Sequence, residues 1–117
     1  MMIDTVAGIP VTEELLQNYF TRLVNQFFKI LPMREEEEES LGAYMRGLQI
    51  ELLGCQNFVS SLSDSPFYMS LLSILQYLID TPSCSIAEVR REVFNAINIC
   101  YKLKSSYGTA DEMEAKQ

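Results

Sequence analysis

With 117 residues, 48% apolar and 21% charged, the chain fits one domain with a real hydrophobic core, which excludes disorder over most of its length. Its net charge of −7 argues against nucleic acid and anionic membrane as partners. It contains no histidine, which excludes Ser-His-Asp and Cys-His catalysis, His-containing zinc sites and a Glu-x-x-His di-iron centre.

Residues 1–11 read as an arm carrying Ile3, Val6, Ile9 and Val11 and broken by Gly8 and Pro10, with no secondary structure assigned. The first residues lack the basic region and apolar run of a signal peptide. A first helix is expected over 12–31. Thr12 suits the N-cap, and Glu13 and Glu14 suit the positive end of the dipole. Apolar pairs follow at Leu15-Leu16, Tyr19-Phe20, Leu23-Val24, Phe27-Phe28 and Ile30-Leu31. A four-residue repeat turns 400°, so the stripe drifts by about 40° per repeat and should touch two neighbouring helices. Pro32 is expected to end this helix.

A second helix is expected over 34–60, from the spacing of Leu41, Met45, Leu48, Leu52 and Cys55. Gly42, Gly47 and Gly54 weaken it by about 1 kcal/mol each relative to alanine and mark either close helix approach or fraying. Residues 60–65 read as a loop. A third helix is expected over 66–80, with Ser65 as N-cap and Pro66 at the first position. Only Ser70, Ser73, Gln76 and Asp80 make it polar, so it is either central or covered by another chain. Its apolar run is too short to span a membrane.

A fourth helix is expected over 86–106. Ser85 and Glu88 form a capping box, and Cys84 with Val89 its hydrophobic staple. Ile86, Val89, Val93, Ala96, Cys100 and Leu103 follow the 3-4 spacing of bundles. Gly108 reads as a stop, and residues 109–117 as a disordered acidic tail beyond a single domain over 1–108. The expected fold is therefore all-α, an antiparallel up-down-up-down four-helix bundle with an N-terminal arm.

The charge is uneven. Glu35, Glu36, Glu37, Glu38 and Glu39 supply −5, the tail supplies −2, and the rest is neutral. The glutamate run is either a solvated helix start or a docking patch for a basic partner; five adjacent glutamates make no cage for a metal ion. In an up-down bundle the second and fourth helices start at one end, so Arg90 and Arg91 are expected to meet this run. The basic fourth helix carries no base-reading constellation and reads as ordinary surface charge.

Cys55, Cys84 and Cys100 are odd in number and form no CxxC, so they read as reduced thiols of a cytoplasmic protein. Cys84, at a helix start, is the one thiol with a possible nucleophilic or redox role. Tyr19, Phe20, Phe27, Phe28 and Tyr44 read as core aromatics, with a ligand cavity as the alternative. Phosphate-binding glycine loops are absent.

These observations lead to a non-enzymatic protein-interaction module, expected to form a homodimer, with no cofactor, metal or specific small molecule. The self-association surface is expected on the third helix, at Phe67, Met69, Leu71, Ile74 and Leu78. One alternative is a ligand-binding or enzymatic domain using carboxylates or Cys84. It would need a pocket with convergent polar groups. Another is an acidic regulator mimicking nucleic acid, which would need acids spread along one face.

Overall fold

The chain starts in an antiparallel pair of strands, β1 (Met2–Val6) and β2 (Ile9–Thr12), with Val6 opposite Ile9 and Asp4 opposite Val11. The computed structural model describes residues 2–6 and 9–106, so the stop at Gly108 and the acidic tail lie outside the described residues. The N-terminal arm, whose sequence assigns it no secondary structure, is thus a hairpin. Its alternating β-branched residues suit strands, and a proline is tolerated where a pair of strands offers open edges.

The body is all-helical: α1 (Glu13–Phe28), α2 (Ile30–Glu35), α3 (Leu41–Phe58), α4 (Ser60–Ser63), α5 (Pro66–Asp80) and α6 (Ile86–Ser106). Three starts form as the sequence requires. The Thr12 hydroxyl accepts from the Leu15 N–H at 3.1 Å, that of Ser65 from Tyr68 at 3.3 Å, and that of Ser85 from Glu88 at 3.2 Å. The Glu88 carboxylate then accepts the Tyr77 hydroxyl at 3.0 Å, tying α6 to α5.

Two boundaries differ from expectation. Pro32 does not end the first helix at its own position; it acts four residues upstream. Its missing N–H and its ring are incompatible with a continuous helix at the Phe28 carbonyl, and α1 stops at Phe28. After Lys29 the chain resumes as α2, where Pro32 sits in the first turn and lacks no intrahelical bond.

The expected long second helix is likewise two helices with a turn at 36–40. A continuous helix would stack glutamates three and four apart, a like-charge repulsion that a turn relieves. The turn is a Schellman cap: Glu38 N–H bonds the Met33 carbonyl at 3.0 Å and Glu37 N–H bonds Arg34 at 3.1 Å. Glu37 takes the left-handed position, φ 55°, that glycine ordinarily fills, a strain of about 1 kcal/mol or more. Further on, the expected loop over 60–65 holds one helical turn, α4, which follows an extended, buried Val59.

The four long helices enclose one core. Phe20, Leu23 and Phe27 of α1, Leu52 of α3, Leu71 and Leu75 of α5, and Val93 and Cys100 of α6 are fully buried in it. Links between helices pair rising with falling residue numbers, the antiparallel sense that short connections demand. Tyr44 of α3 donates to the Gln26 carbonyl of α1 at 2.7 Å, and Glu51 meets Arg22 at 3.6 Å. Between α3 and α5, Gln49 bonds Gln76 at 2.7 Å and Gln56 bonds the Met69 sulfur at 3.0 Å.

A Cβ on Gly47 or Gly54 would meet no described atom within 4 Å, so these glycines lower α3's helix propensity without bringing another helix close. Among the described residues no helix is long and apolar enough to cross a membrane.

Candidate functional site

The loudest sequence feature, residues 35–39, lies at one end of the bundle, where α2, α3, α5 and α6 come together. Glu35 closes α2 and pairs with Arg90 of α6, Nη2 to Oε1 at 3.5 Å, as the shared bundle end requires. Both partners are about half exposed, and such a pair contributes about 0–1 kcal/mol. Arg91 does not join it; its Nε lies 3.5 Å from Glu92.

Beside the run opens a cavity of about 430 Å³. Ile30, Met45, Leu78 and Val89 make an apolar floor, while Arg34, Arg46, Glu37, Glu38 and Glu39 line its rim. Arg34 is the most firmly placed of these charges: half-buried, its Nη2 donates to the Cys84 carbonyl at 2.8 Å. Glu37, Glu38, Glu39 and Arg46 are exposed and have no ion-pair partner among the described residues. No three acids, cysteines or histidines among the described residues converge as metal ligands.

Cys84 lies in the cavity wall and is buried. Burial pushes its thiol pKa up, the Glu88 carboxylate adds to the shift, and the Arg34 guanidinium works against it. The helix start therefore does not activate this thiol, and it is protonated at neutral pH.

A second polar cluster lies between α1, α3 and α5. The Tyr68 hydroxyl donates to the Leu52 carbonyl at 2.7 Å from a fully buried side chain. The Tyr19 hydroxyl lies against Tyr68 and Cys55, yet among the described residues it meets no partner at hydrogen-bond geometry. The two tyrosines therefore respond oppositely to loss of the hydroxyl. Tyr19→Phe is expected to be neutral or to stabilise by about 1 kcal/mol, and Tyr68→Phe to destabilise by about 1–2 kcal/mol. Urea unfolding of both variants checks this, and equal losses would contradict it.

The surface expected on the third helix is divided. Leu71 and Leu78 belong to the core, and Ile74 packs against it. Phe67 and Met69 are exposed on different flanks, Phe67 beneath the Lys102 ammonium at 5.6 Å and Met69 against Gln56. One face of the helix, with Tyr68, Leu71, Leu72, Leu75 and Leu78, is spent on the core, and Phe67, Met69 and Tyr77 remain exposed outside it.

A different apolar surface appears on the outside of the α1/α6 pair. Phe28 and Phe94 meet edge to face, centroids 5.8 Å apart, and are 41% and 43% exposed. Tyr101, one heptad beyond Phe94 on the same face of α6, is 52% exposed. Of the aromatics considered for a ligand cavity, Phe20 and Phe27 are core, Tyr19 and Tyr44 fill the α1/α3 seam, and Phe28 faces solvent. The chain matches no protein-family model, no curated protein and no solved structure.

Proposed function

We propose that this chain is a non-catalytic protein-interaction module that pairs with a second copy of itself through the outer face of α1 and α6. The observation that carries this reading is the exposed aromatic ridge of Phe28, Phe94 and Tyr101. Exposed aromatic clusters of this kind supply the anchors of protein interfaces. Outside residues 35–39 and the tail the charges of the chain sum to zero, so the bodies of two copies carry no net charge to oppose pairing. A two-fold axis between the ridges would bring each against its equivalent. Three free thiols suit a reducing compartment, and the cytoplasm is the proposed location.

Light scattering across a concentration series tests the pairing. The expected result is a dimer at about 100 µM, with Phe94→Ser monomeric at the same concentration and Met69→Ser still dimeric. A wild-type chain that stays monomeric throughout removes self-association from the proposal.

A further inference from the structure

The cavity at the glutamate end shares no residue with the aromatic ridge, and its lining selects a different occupant. The floor is apolar and buried, and about 430 Å³ is room for roughly two or three side chains. The rim carries three carboxylates without ion-pair partners among the described residues, on the cap that places Glu37 in the left-handed conformation. Arg34 is held at the wall by the Cys84 carbonyl. A guanidinium has five N–H donors, so others remain for a carbonyl oxygen.

We propose that this cavity binds a linear peptide segment of a partner protein, with an apolar side chain seated on the floor and adjacent lysines or arginines against Glu37, Glu38 and Glu39. Each part of the lining has a counterpart in such a segment. The floor by Ile30, Leu78 and Val89 takes the anchor, the glutamates take the basic side chains, and Arg34 and Arg46 take backbone carbonyls. A simple anion fits poorly because three carboxylates border the mouth. A bare cation fits poorly because the acids do not converge as ligands.

The probe is a fluorescein-labelled peptide of two leucines flanked by lysines, titrated by anisotropy at low salt against the full chain. Two companions replace the leucines by serine or the lysines by glutamate. The lysine–leucine peptide is expected to bind about tenfold more tightly than either companion. Exposed ion pairs each contribute roughly a twofold factor, so the E37Q/E38Q/E39Q variant is expected to lose about tenfold in affinity. Amide shift changes on wild-type chain should gather at Ile30, Leu78 and Val89. The proposal is overturned if the glutamate peptide binds equally well, if the folded triple variant binds unchanged, or if the shifts gather around Phe94. Should the triple variant lose helical content, the peptide panel and shift map on wild-type chain decide.

Discussion

Titrated upward from neutral pH, the protein is expected to keep its helical signal to about pH 10 and to unfold cooperatively near pH 11. The cause is three acids that the fold holds protonated. Burial raises the Tyr68 hydroxyl above its ordinary value of 10.0, and the neighbouring Tyr19 and Cys55 add to it. Tyr19 is raised first by burial and then by Cys55. The Cys100 thiol, fully enclosed by the core, is pushed up to about 12 from an ordinary 9.0.

The unfolded chain releases these protons near the ordinary values, whereas the folded chain keeps them. Stability is therefore fully present below about pH 9 and falls by about 1.4 kcal/mol per group for each pH unit beyond its unfolded pKa. By about pH 11 the sum is on the order of 5 kcal/mol, comparable with the whole stability of a small domain. Circular dichroism against pH reads the transition, and Cys100→Val should move it to higher pH. A native helical signal retained through pH 12 would show that the loss from these groups is smaller than the stability of the fold and would overturn the prediction.

Phe27→Ala is expected to lower stability by about 3–5 kcal/mol, while Phe28→Ala one residue away lowers it by about 1 kcal/mol or less. Phe27 is fully buried in the shared core, so truncation leaves a cavity as well as losing transfer energy. Phe28 is partly exposed, and its loss removes little more than the edge-to-face contact with Phe94. Thermal unfolding of the two variants separates them, and comparable shifts would mean that Phe28 is covered in solution. A dimer through the α1/α6 face would cover it, so the comparison belongs at low protein concentration.

The same pair of residues shows how far the sequence could be read. Paired apolar residues every four positions identify a helix and a drifting stripe, but they leave open which member of each pair faces inward. The helices at 66–80 and 86–106 were legible because caps and periodicity agreed. The break after Phe28 was missed because proline acts on the carbonyl four residues before it. The turn at 36–40 was missed because glutamate has good helix propensity, and only its repetition argues against a helix.

Part of the site was legible too. Antiparallel connectivity alone placed Arg90 beside the glutamate run. The cavity itself was not, since its floor combines residues from four helices. The ridge did have a signal: Phe94 and Tyr101 repeat at seven residues but fall out of phase with Val93, Cys100 and their companions in the core stripe.

Among the described residues the most extensive helix pair joins α1 to α6, the first and last of the long helices. During synthesis, α1 emerges with Phe20, Leu23 and Phe27 ready for burial, but their principal partner, α6, follows only after α3 and α5. The intermediate chain carries an open apolar face until Val93, Cys100 and Leu103 have left the ribosome. Closing the core then requires the two ends of the body to meet, a long-range step that sets folding speed more than any local helix does.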